Sequence, residues 1–185
     1  MHVLVVGATG MLNEATVTFI HRGCLVTTVS RSHDRAKALK SLAKFPEHVN
    51  TLVLDWHHGD HLIKEVTASS LKFGPIDQVV LWMHSDAQHA MNKLLERIEA
   101  VNMGETWELY HIKGSSASRP EKNWKPRIPE NCQYHDIILG FKKDSEHSRW
   151  LTNAEISQGV IEAVFEKTTS KIIGTVEPWS QRPGW

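Results

Sequence analysis

Two glycines three residues apart, Gly7 and Gly10 in the stretch GATGMLN, are suited to hold a phosphate, because they leave backbone N–H groups facing outward where a helix begins. Gly7 permits the tight turn and Gly10 the close approach of a pyrophosphate. Glycines also end strands for steric reasons alone. Here the pair follows a short apolar run and opens a helical pattern, which favours nucleotide binding. The stretch VSRS, residues 29–32, bears on which nucleotide. Where an acid would bind a ribose 2′-hydroxyl, this chain has Ser30 with Arg31 beside it, and a hydroxyl next to a planar guanidinium suits a 2′-phosphate. NADP(H) is therefore the expected cofactor; the competing reading makes Arg31 a solvated loop residue paired with Asp34. A second cluster, DWHHGDH at residues 55–61, gathers Asp55, His57, His58, Asp60 and His61. His57 and His61 would share a helical face, as zinc ligands can, yet no third ligand is set by spacing, so no metal is expected.

The frame that must position these groups is an alternation of short apolar runs and longer segments of helical period. Strands are expected at 2–6, 24–30, 50–55, within 73–83, at 107–114, 134–141 and 169–177. Helices are expected at 11–22, 34–44, 60–72, 87–102 and 151–167, the second capped by Ser32 or Asp34 and the last by Thr152 or Asn153. Between the fifth and sixth strands, residues 115–132 hold three prolines and no helical period, so a loop is expected there. The right-handed crossover rule then gives an α/β fold, a doubly wound Rossmann-type parallel sheet of about seven strands in the order 3-2-1-4-5-6-7.

With 185 residues the chain is expected to form a single domain, residues 1–185, with its own core. Lys plus Arg and Asp plus Glu both number 21, so there is no basic excess for a nucleic acid or an anionic membrane. The longest apolar runs are strand-length, and no basic leader precedes the first of them. Cys24 and Cys132 form no CxxC pair, which suits a reducing compartment. A cytoplasmic location is the expectation.

GATGML at the glycine turn, VSRS after strand two, LDW at 54–56, FGPIDQVV entering strand four, GSS at 114–116, IILGF at strand six and the closing LTNAEISQGVIEAV with IIGTVEPW together resemble the short-chain dehydrogenase/reductase family, in order and over nearly the whole chain. The resemblance implies an NADP(H)-binding oxidoreductase acting on a small carbonyl compound. It places Gly7, Thr9, Gly10, Met11 and Leu12 around the phosphates, and Ser30, Arg31 and Ser32 at the adenosine ribose. Asp55 and Trp56 would lie against the adenine, with Asp55 accepting from its amino group. Met83, His84 and Ser85 would flank the ribose and nicotinamide, and Gly140, between Leu139 and Phe141, would lie near the carboxamide.

The family's Tyr and Lys, spaced YxxxK on a helix between strands five and six, are absent. The chain's two tyrosines are Tyr110 and Tyr134, and neither is followed at i+4 by lysine. The family's Asn-Ala-Gly after strand four is WMHS here. The resemblance leaves Ser115 for the family's serine, and the other candidates to replace the missing acid are Ser116, Lys113, His84 and Tyr134, of which Tyr134 begins strand six and can point away from the pocket. His84 is the preferred proton donor, since imidazole titrates near neutrality; its other reading is a strand-end histidine bonded to backbone. Loss of the usual pair equally fits a catalytically inactive NADP(H) sensor or partner-binding protein. The expected partner is a small-molecule substrate. A homo-oligomer stays open, on another surface or on helix 87–102 alone. The tail EPWSQRPGW, residues 177–185, is apolar and reads as packing, a cover for the site's mouth or a subunit contact.

Overall fold

In the computed structural model, which describes residues 1–144 and 147–184, seven strands form one parallel sheet. They are β1 (His2–Val6), β2 (Leu25–Ser30), β3 (Val49–Val53), β4 (Gln78–Trp82), β5 (Trp107–Lys113), β6 (Cys132–Leu139) and β9 (Ser170–Ile173), in the order β3-β2-β1-β4-β5-β6-β9. This is the doubly wound order expected from sequence. The last strand is numbered nine because a small antiparallel hairpin, β7 (Phe141–Lys143) with β8 (Ser148–Trp150), intervenes. The expected sixth strand therefore stops at Leu139. Gly140 breaks it, since a Cβ there would lie 2.1 Å from the Thr175 carbonyl oxygen.

Every side chain of β1 is buried because the strand is central and covered on both faces. Val3 and Val5 join one core with Leu12, Phe19, Tyr110, Ile156 and Val160. Leu4 and Val6 join the other, with Leu62, Val66, Leu81, Leu94 and Ile98. The alternation along one strand thus feeds both layers, each fully buried Leu or Ile contributing about 1.5–3 kcal/mol. Helices α1 (Asn13–His21) and α5 (Asn153–Phe165) supply the first layer, and α3 (Gly59–Phe73) and α4 (Gln88–Asn102) the second. Helix α2 (His33–Leu42) contributes Leu39 to the first core.

Helix starts follow local chemistry. Ser32 caps α2, its hydroxyl accepting from Arg35 N at 3.3 Å. Thr152 caps α5 in a capping box, with Glu155 reaching back to Thr152 N at 2.9 Å, a device contributing about 1 kcal/mol. Helix α1 starts at Asn13, two residues later than its pattern suggests, and no side chain caps it. Between β5 and β6 there is no α-helix; the proline-rich segment forms only short turns at Ser115–Ser118 and Pro120–Lys122.

Candidate functional site

The glycine turn sits at the carboxyl end of β1, whose neighbours are β2 and β4, and so at the point where the strand order reverses. Gly7 has φ +90°, a conformation L side chains rarely adopt, and its N–H donates to Val29 O at 3.3 Å. Gly10 differs: a Cβ there would meet nothing nearer than Gly7 O at 3.9 Å. No protein contact explains a glycine at that position. Its missing side chain leaves open space in front of the uncapped start of α1, which fits the pyrophosphate of a dinucleotide. Thr9 Oγ1 lies 3.0 Å from Ser30 Oγ, joining this turn to the end of β2. Met11 lines the neighbouring cavity, whereas Leu12 is fully buried and offers a ligand only its backbone.

At the adenosine side, Arg31 does not pair with Asp34; its guanidinium carbon lies 5.0 Å from the centroid of the Trp56 ring. Trp56 is buried in the core under α3, so it forms a wall there and is not a free stacking surface. Asp55 Oδ1 accepts from His57 N at 3.0 Å and approaches His57 Nδ1 at 2.7 Å. These bonds hold the Asp55 carboxyl below the usual range and raise the His57 ring above its usual value. Asp55 Oδ2 keeps no hydrogen-bond partner among the described residues. His57 Nε2 also lies 3.5 Å from Asp86 Oδ2. Among the described residues no three His, Cys, Asp or Glu side chains are arranged so that they could hold a metal ion, here or elsewhere.

The carboxyl ends of β4, β5 and β6 open onto a cavity of about 480 Å³. Met83, His84, Ser115 and Gly140 all line it, so the strand ends do bring these four together. His84 is exposed and its ring takes no hydrogen bond among the described residues, unlike the backbone-bonded alternative; it meets Trp82 edge-on at 5.8 Å. Ser85 opens the short turn after it, and its side chain lies outside the described part. Ser115 is buried, and its Oγ accepts from Arg182 Nε at 2.9 Å. A serine has two lone pairs and one proton, so its O–H stays able to donate into the cavity.

Tyr134 stands off this wall. Its hydroxyl shares a 3.0 Å hydrogen bond with His111 Nδ1, and it is His111 that lines the cavity. Burial pushes the His111 ring down to about 4 and raises the Tyr134 phenol, so both are neutral near pH 7. Lys113 lies two residues on, on the same face of β5. Its Nζ reaches Asp136 Oδ1 at 2.6 Å and also contacts Asn123 Oδ1. Burial lowers the Lys113 ammonium, and the Asp136 carboxylate offsets part of that. His111 was not singled out from sequence, although its i, i+2 spacing with Lys113 on a strand ending at the site was a readable signal. Arg182, from the tail, gave no such signal; it comes to Ser115 from 67 positions away.

Family models and curated proteins give no match to this chain. Solved structures do. An actinorhodin polyketide ketoreductase variant solved with NADPH superposes with a TM-score of 0.68 at 12% identity, covering 95% of this chain and 96% of that one. An alcohol dehydrogenase from the archaeon Thermococcus sibiricus, complexed with 5-hydroxy-NADP, gives 0.64 at 15% identity over 100% and 99% of the two chains. A short-chain dehydrogenase/reductase, glucose/ribitol dehydrogenase, from Brucella melitensis gives 0.64 at 14% identity over 92% and 93%. With the strand order β3-β2-β1-β4-β5-β6-β9 and the glycine turn after β1, this overlap gives the chain the short-chain dehydrogenase/reductase fold.

Proposed function

We propose that residues 1–185 form a single NADP(H)-binding domain and that the protein is an atypical short-chain dehydrogenase/reductase that reduces a small carbonyl compound. The observation that carries this reading is Gly10, whose missing side chain no protein contact explains, at the switch point of a fold whose solved neighbours include structures with NADPH and 5-hydroxy-NADP. Arg31 and Ser30 support the 2′-phosphate form over NAD(H).

When bound, NADPH supplies a hydride. The residues of this chain do the rest. Ser115 donates to the carbonyl oxygen and fixes the substrate's orientation, while Trp82, Met91 and Trp124 wall the cavity with apolar surface. With the hydride supplied by the bound cofactor, the C=O π pair would pass to the oxygen held by Ser115, and His84 or a water would deliver the proton that completes the alcohol. His84 is an exposed imidazole at the wall whose ring takes no hydrogen bond among the described residues, so it is free to turn toward the carbonyl oxygen.

One observation favours a second reading. The segment between β5 and β6 holds only short turns, so the helix that bears the family's Tyr-Lys pair has no counterpart among the described residues. A catalytically inactive NADP(H) sensor is built the same way. The two readings separate in one experiment, which follows the thermal shift given by NADPH and by NADH together with NADPH oxidation over a panel of aldehydes and ketones. A shift selective for NADPH with turnover that His84→Ala or Ser115→Ala abolishes supports the reductase. The same shift without turnover supports the sensor, and no shift with either nucleotide removes both.

A further inference from the structure

Among the described residues, the wall of the 480 Å³ cavity carries cations and no acid. Lys113, Lys122 and Arg182 line it, and no aspartate or glutamate does so among the described residues. Lys113 is already neutralised by Asp136. Arg182 is not: it forms no ion pair with any described residue. Its guanidinium carbon lies 4.9 Å from the Trp150 ring centroid and 5.0 Å from that of Trp179, while Nε donates to Ser115 Oγ at 2.9 Å. Two indoles and a hydroxyl thus fix the group in place. Nη1 and Nη2 are left without hydrogen-bond partners among the described residues.

A half-buried guanidinium held between aromatic rings has lost part of its hydration and gained no anion in exchange. Its two remaining nitrogens form the end-on pair of donors that takes a carboxylate through two parallel, charge-assisted hydrogen bonds. The bond from Arg182 to Ser115 adds a second constraint. The donor for the carboxylate and the donor for the carbonyl oxygen touch each other, so the two acceptors on one ligand must be separated by very few atoms.

Resting on the reading of this cavity as a carbonyl-reduction site, we propose that the substrate is a 2-oxo or 3-oxo acid. Arg182 takes its carboxylate, Ser115 its carbonyl oxygen, and Trp82, Met91 and Trp124 its apolar remainder. Lys122 adds positive charge at the exposed side of the same wall.

The test is equilibrium binding of 3-phenylpropionate and of its amide to the full chain, followed by tryptophan fluorescence because Trp150 and Trp179 flank the anchor. The acid is expected to bind about tenfold or more tightly than the amide. Arg182→Gln abolishes that difference, and Arg182→Lys keeps only part of it, because an ammonium retains the charge without the fork. Melting curves confirm that both variants fold. The proposal is overturned if acid and amide bind alike, if neither binds at millimolar concentration, or if the preference survives Arg182→Gln. The NADPH thermal shift is measured on the same samples. A shift without acid preference removes the oxo-acid assignment and leaves the reductase reading, whereas acid preference without a shift leaves Arg182 as a carboxylate anchor and removes the reductase.

Discussion

The hydroxyls of Thr9 and Ser30 meet at 3.0 Å, tying the glycine turn to the carboxyl end of β2. Ser30 is further fixed by Ser32, whose N–H donates to Ser30 Oγ at 3.2 Å, and Ser32 in turn caps α2. The two places where a dinucleotide would present its phosphates are thereby held in register before any ligand arrives, which lowers the ordering cost of binding.

Gly10→Asp separates binding from folding. The new side chain enters open space, so the melting temperature of the free protein is expected to change little. The carboxylate stands where a pyrophosphate would lie, and the NADPH-induced stabilisation, about 2.7 kcal/mol at a hundredfold excess over Kd, is expected to vanish. Thermal melts with and without NADPH check this, and a retained shift would place the nucleotide elsewhere.

Arg31→Ala tests the 2′-phosphate. Loss of a charged hydrogen-bond donor costs about 1.5–3 kcal/mol, so affinity for NADPH should fall roughly tenfold or more while that for NADH stays nearly constant. Titration of both nucleotides against both proteins gives the answer. Equal losses for NADPH and NADH would assign Arg31 to the Trp56 wall instead.

Lys113→Met leaves the Asp136 carboxylate buried without its cation. The expected destabilisation is about 3–5 kcal/mol, and adding Asp136→Leu should restore most of it, because the pair's mutual attraction does little more than offset its desolvation. The lowered Lys113 value fixes the sign with pH: burial favours the neutral amine, so the native protein gains stability as pH rises from that lowered value to the ordinary 10.5. Urea denaturation of the single and double variants measures both effects.

His57 carries the opposite sign. Its hydrogen bond to Asp55 raises its value above 6.5, so the contribution of this contact is complete below the unfolded value and is lost as pH rises through the folded one. An NMR titration of the ring should place His57 above the ordinary histidine range, and Asp55→Asn should return it. A normal midpoint in the native protein would mean that the 2.7 Å contact is not kept in solution.

The central elements were legible because their residues have one use. HVLVV can only be a strand covered on both faces, α4 keeps its apolar period over fifteen residues, and three prolines forbid a helix across 115–132. The hairpin β7–β8 was not legible, since FKK and SRW are three-residue strands dominated by charge and lack the alternation of a half-buried strand. At the site, the strand ends announced Met83, His84, Ser115 and Gly140. Gly140 lines the cavity, yet its identity answers to the Thr175 carbonyl, so a glycine at a strand end is ambiguous until packing is known. Tyr134 is placed near the start of β6, and its hydroxyl reaches across to His111 on β5 and not forward into the cavity, which packing alone decides.

The hydroxyl of Ser157 on α5 donates to Met11 O at 2.8 Å, and α5 packs on α1 through the same core. A residue of α5 therefore braces a loop that lies 146 positions earlier in the sequence. During translation the glycine turn lacks this brace until α5 has emerged, so the nucleotide affinity proposed for it should appear only once α5 is in place; nucleotide binding by chains ending before and after residues 153–165 would date it.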